Sequence, residues 1–189
     1  MRRLSVRPPL TLKGRTFKGL RGWSGKPFHP PLTDFPIVAY VLAAAFDVIS
    51  AVGGKDHTWA RELWHAGTYT FVAGAAVSVL AALTGLWDAW RSSEAGTQAR
   101  RTINTHATIM VTVTVLALAD IAWRLSVHDT AAATPGGIAL LSVVIALLVS
   151  VGATYGGSLV YDYGFNVETA GDHPVWHKSE TDVFPGRHG

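Results

Sequence analysis

Apolar positions fall in four blocks, 34–52, 66–87, 105–125 and 136–161, with polar and turn-forming residues gathered between them. Each block approaches or exceeds the roughly 20 residues that cross about 30 Å of hydrocarbon as a helix. The connections carry breakers and charges: Gly53-Gly54-Lys55-Asp56, then 91–101, then 129–137 around Pro135. Connections this short make consecutive helices antiparallel neighbours. The pattern therefore predicts an all-α integral membrane four-helix bundle over 32–164, preceded by a basic arm, 1–31, and followed by a polar tail, 165–189.

Charge then sets the expected orientation. Arg2, Arg3, Arg7, Lys13, Arg15, Lys18, Arg21 and Lys26 all precede the first acidic residue, Asp34. Arg91, Arg100 and Arg101 lie in the middle connection and Lys178 and Arg187 in the tail, whereas Lys55, Arg61 and Arg124 belong to the opposite side. Basic loops stay cytoplasmic, so both termini are expected in the cytoplasm of a bacterial cell, with the protein in its inner membrane. The arm is expected to meet anionic lipid headgroups, each basic residue contributing about 1 kcal/mol. A net charge of +3 arranged this way reflects topology, and no nucleic-acid partner is expected.

Composition narrows the chemistry. Among 189 residues, 49% are hydrophobic and only 15% charged, which agrees with lipid exposure. The chain has no cysteine, so disulfides, thiolate metal sites and cysteine nucleophiles are excluded. HExxH, P-loop, GxSxG and dinucleotide patterns are absent, and no catalytic activity of its own is expected. Two small-residue rows, Gly74/Ser78/Ala82 and Gly152/Gly156, suit close helix packing inside the bundle. Trp64, Trp87, Trp90 and Trp123 sit near block ends, where interfacial anchors belong.

Ionisable residues inside a span are costly and become functional candidates. An outer layer comprises Asp47 with Asp120 and Arg124, the latter two one turn apart and able to pair. A structural ion network is the first reading of this layer and a proton or ion path the second. His65 could border it, with His57 and His128 in solvent. An inner layer comprises His29 and Asp34 at the entrance of the first span, Asp88, His106, and Tyr161, with Tyr155, Tyr163 and Asp162 nearby. Two histidines at one depth could ligate haem b iron, or bind and protonate a quinone. They could equally hydrogen-bond a carboxylate or carbonyl. His29 precedes Pro30 and Pro31, which places it on an extended segment.

These residues together resemble a family of bacterial four-helix membrane proteins catalogued as a domain of unknown function. The matching stretches are His29-Pro30-Pro31-Leu32 with Phe35-Pro36, Phe46-Asp47-Val48-Ile49, and Thr84-Gly85-Leu86-Trp87-Asp88. They continue through Arg101 with His106, Trp123-Arg124-Leu125, and Gly156-Gly157-Ser158-Leu159-Val160-Tyr161 with Gly164. The resemblance covers about 29–167. It implies the four-helix fold and puts His29, Asp47, Asp88, His106 and Arg124 at motif positions. Some members are joined to a Rieske-type iron-sulfur domain, which implies an electron-transfer setting; this chain has no cysteine to hold such a cluster. Asp120 departs from the pattern, where a neutral amide is expected in many relatives, and His65 has no clear counterpart. The expected function is a small membrane subunit associated with electron transfer through haem b or quinone, with a redox or other membrane protein complex as its expected partner. A non-catalytic scaffold and a small proton-coupled transporter are the competing readings.

Overall fold

A computed structural model describes residues 19–20 and 27–167; most of the basic arm and the tail beyond Val167 lie outside the described residues. Four helices follow in order: α1 His29–Gly53, α2 Thr58–Ser92, α3 Gln98–Val127 and α4 Gly136–Tyr161. All four are long and apolar enough to cross a membrane. The first three begin before the apolar blocks do, and α2 also runs past its block to Ser92. Hydropathy marks the stretch that sits in hydrocarbon, whereas the helix continues into the headgroup layer, where polar turns are solvated.

The start of α1 corrects one expectation. His29 is its first residue, and Pro30 and Pro31 occupy its first turn, so His29 is not on an extended segment. Proline is tolerated there because a first-turn N–H has no intrahelical partner to lose. Thr97 caps α3, its hydroxyl accepting from Arg100 N at 3.1 Å. Gly54 closes α1 with φ of 76°, a conformation open to glycine, and its N–H reaches Ser50 O at 3.2 Å.

Around the bundle α1 packs on α2 and α4, and α3 packs on the same two helices. One end, here the near end, carries the start of α1, the α2–α3 turn and the end of α4. The far end carries the α1–α2 and α3–α4 turns. The interior is built from Tyr40, Phe71, Val113, Ala117, Ile145 and Val149. Leu83, Leu118, Leu140 and Leu147 point outward, as residues facing lipid do. Small residues set the helix spacing. A Cβ at Gly74 would stand 2.7 Å from the Ala39 Cβ of α1, and one at Gly152 would meet the Met110 sulfur of α3. Both small-residue rows thus serve contacts within the chain.

Candidate functional site

At the far end, Arg124 sits between two carboxylates with all three side chains fully buried. A guanidinium has five N–H donors, and every one of them is used. Nε donates to Asp120 Oδ2 at 2.6 Å; Nη1 donates to Asp47 Oδ1 at 3.2 Å and Thr68 Oγ1 at 3.4 Å. Nη2 donates to Asp47 Oδ2 and to Ser142 Oγ. Ser142 then has one proton for either Asp47 Oδ2 at 2.6 Å or Ile138 O at 2.9 Å. Thr134, in the α3–α4 turn, donates to Asp47 Oδ1 at 3.3 Å and through its backbone N–H to Ser50 Oγ at 2.9 Å. The Phe71 and Trp64 rings lie 4.6 and 5.4 Å from the guanidinium carbon. All four helices therefore meet at one cation, the arrangement by which low-dielectric interiors tolerate a charge.

Asp120 is the unbalanced member, for Asp120 Oδ1 is buried without a partner among the described residues. Two carboxyl groups fully shut off from solvent face one guanidinium, which balances a single carboxylate, so a charge on the second would be in excess. Asp120→Asn keeps an oxygen for the Arg124 Nε and removes that charge. It is expected to leave the thermal midpoint in detergent unchanged or raised; a clear fall would mean that the second anion is required.

The remaining far-end aromatics correct two expectations. Trp64 is buried, not an interfacial anchor, and its indole donates to His128 O at 3.2 Å. Trp87, Trp90 and Trp123 are exposed. His57 is exposed against Trp59, but His128 is only partly exposed and stacks on His65 with ring centroids 4.6 Å apart. The polar character of 128–130 suggests a solvated turn; the last turn of α3 carries His128 back onto α2.

At the near end the structure brings His29, Asp34, Asp88, His106 and Tyr161 to the wall of one cavity of about 740 Å³. Apolar groups dominate the lining, Ile37, Ile103 and Met110 among them. The two imidazoles lie edge to face, with centroids 6.5 Å apart and planes inclined at 79°. His29 Nδ1 lies 2.9 Å from Ala81 O on α2, and His106 Nδ1 lies 2.9 Å from Gly152 O on α4. A carbonyl can only accept, so in each ring Nδ1 carries the hydrogen and Nε2 keeps its lone pair. Gly85 and Gly156 stand one turn beyond those carbonyls. A Cβ at Gly85 would come within 2.6 Å of His29 Cε1, and one at Gly156 within 3.2 Å of His106 Cε1.

The other three residues differ in burial. Asp88 is buried and accepts from Leu20 N at 2.9 Å, which ties a piece of the arm to the cavity. Asp34 is exposed at the mouth, and Tyr161, 88% exposed, forms the rim. Tyr163 lies outside the lining and receives a hydrogen bond from Thr102 at 3.4 Å. Sequence reasoning missed the hydroxyls of Thr68, Thr134 and Ser142 and the glycines opposite the imidazoles. A lone serine in the otherwise apolar start of α4 was the available signal for Ser142. No group of three or more His, Asp or Glu poised for a metal occurs among the described residues.

Four membrane-spanning helices around buried polar layers define a multi-pass membrane protein. The chain belongs to the family described as a predicted membrane protein, DUF2231, whose model matches residues 25–169 and thus all four helices and both layers. No curated protein and no solved structure matches the chain.

Proposed function

We propose that the near-end cavity holds a b-type haem between His29 and His106, and that the protein serves as an electron-transfer subunit of a bacterial inner membrane. The mutual placement of the two rings carries this reading. Two imidazoles bound on opposite sides of one iron, each at about 2.0–2.1 Å, set their centroids about 6–6.5 Å apart. The observed separation is 6.5 Å, with both Nε2 lone pairs uncommitted. The cavity volume also lies within the roughly 300–1,000 Å³ of small-molecule sites.

In this reading each residue has a defined task. The Nδ1–H bonds to Ala81 and Gly152 fix the tautomer and raise the basicity of Nε2. Gly85 and Gly156 leave the imidazole faces unobstructed, and the apolar lining excludes water. A haem held by His29 and His106 would supply one-electron chemistry. The near end faces the cytoplasm by the distribution of Lys and Arg, and partner subunits and anionic lipid meet it there.

One observation favours a second occupant. The lining contains Asp34 and Asp88 and no Lys or Arg among the described residues, a setting that suits a neutral quinone head better than propionates. The visible spectrum decides between them. Protein purified in mild detergent from cells supplied with a haem precursor is expected to show a Soret band, with sharp α and β bands after dithionite. A featureless spectrum at full haem supply removes the haem reading. Extraction of the same preparation then separates a bound quinone from a scaffold that carries no cofactor.

A further inference from the structure

Beyond Tyr161 the chain turns back instead of leaving the bundle. Asp162 N and Tyr163 N both donate to Ser158 O, at 2.9 and 3.2 Å, and Phe165 N donates to Leu159 O at 2.8 Å. Residues 162–165 therefore wind onto the last turn of α4. Two left-handed residues make the reversal, Gly164 with φ of 59° and Asn166 with φ of 56°. Glycine takes that conformation freely, and asparagine is one of the few other residues that visit it. Val167 N then closes a short turn on Gly164 O at 3.0 Å. The reversal carries Phe165, Asn166 and Val167 into the lining of the near-end cavity, beside His29 and His106. Since α4 ends at the near end, these three residues cover the outer side of the cavity, whereas Ile37 and Met110 lie deeper.

We propose that residues 162–167 form a strap that closes the near-end cavity and lifts at Gly164 to admit and release its occupant. Little fastens this cover. Its one hydrogen bond to another helix among the described residues is the 3.4 Å contact in which Tyr163 accepts from Thr102 of α3. Its other bonds run back to α4 or within the turn, and none of the six residues is buried. Segments with so few buried contacts open at low free energy, which is what the gate of a ligand site needs. The α2 side is held differently, for there Leu20 of the arm donates its N–H to the buried Asp88 at 2.9 Å. The moving half is thus the tail side. The proposal concerns control of entry to the cavity and rests on the near-end cavity being the ligand site.

The test uses the full chain in detergent with no ligand added, so its result does not depend on whether the occupant is haem or quinone. The chain has no cysteine, and Ile103 is 3% exposed on the cavity wall. Ile103→Cys therefore supplies a single thiol that a water-soluble maleimide meets when the cavity is open. Modification is expected to be slow with the strap intact. Gly164→Val places a branched side chain at a left-handed position and should speed the reaction about tenfold. Phe165→Ala removes a ring from the cover without straining the turn and should act in the same direction. An unchanged thermal midpoint shows that the bundle is intact; should Gly164→Val lower it, Phe165→Ala decides. Equal rates in the three chains, whether fast or slow, overturn the proposal, because entry is then not controlled by the strap. A missing Soret band removes the haem reading and leaves these rates as they are.

Discussion

Replacing Arg124 by alanine is expected to remove a large share of the stability of the bundle. The substitution takes away the partner of Asp47 and Asp120 at once and leaves both carboxylates fully buried. Breaking a buried ion pair from one side costs about 3–5 kcal/mol, set against a typical total of about 5–15 kcal/mol. The five N–H donors engage α1, α2, α3 and α4, so no single helix can relax to cover the loss. Thermal unfolding in detergent should show the midpoint collapsing, or the protein failing to accumulate. Arg124→Lys should lie between the two, because an ammonium cannot reproduce the forked contact with Asp47. Replacing Asp47, Asp120 and Arg124 together by leucine should recover much of the deficit, since hydrophobic replacement of a whole buried cluster is often neutral or better. Wild-type stability in Arg124→Ala would show that the clamp contributes nothing.

The second large effect concerns the near end and leaves the fold in place. His106→Gly removes one side-chain hydrogen bond, to Gly152 O, worth about 1 kcal/mol. Under the haem reading the same change removes an axial nitrogen, so the Soret band of the purified protein should fall to a small fraction of wild type while the thermal midpoint shifts by a few degrees. His29→Gly should behave alike through Ala81. Free imidazole added to either variant should restore the spectrum, because the space left is that of the ring removed. A Soret band unaffected by both substitutions would place the haem elsewhere or show that what binds is adventitious.

The four helices could be read from the sequence because a bilayer demands about 20 apolar residues per crossing. Their ends could not, since polar turns such as Trp59-Ala60-Arg61-Glu62 remain helical without contributing hydropathy. Asp47, Asp120 and Arg124 stood out as charges in apolar surroundings, and one-turn spacing already joined the last two. Nothing in the sequence could show that Thr68, Ser142 and Thr134 complete the coordination of Arg124, because that depends on how α2 and α4 are rotated. His29 and His106 were legible as residues at one depth; their edge-to-face approach at 6.5 Å required α1 to start at His29, which the two prolines disguised. His128 was misplaced for a related reason: a histidine beside Asp129 and Thr130 carries no mark of the ring it stacks upon.

The clamp also imposes an order on biogenesis. Asp47 enters the membrane with the first helix and Arg124 with the third, yet Thr134 and Ser142 reach the clamp only when the turn after α3 and the last helix have been made. A chain halted after three helices carries the guanidinium without its full set of acceptors. Insertion of α4 supplies the missing Ser142 hydroxyl, so the buried charges are fully partnered only in the complete bundle.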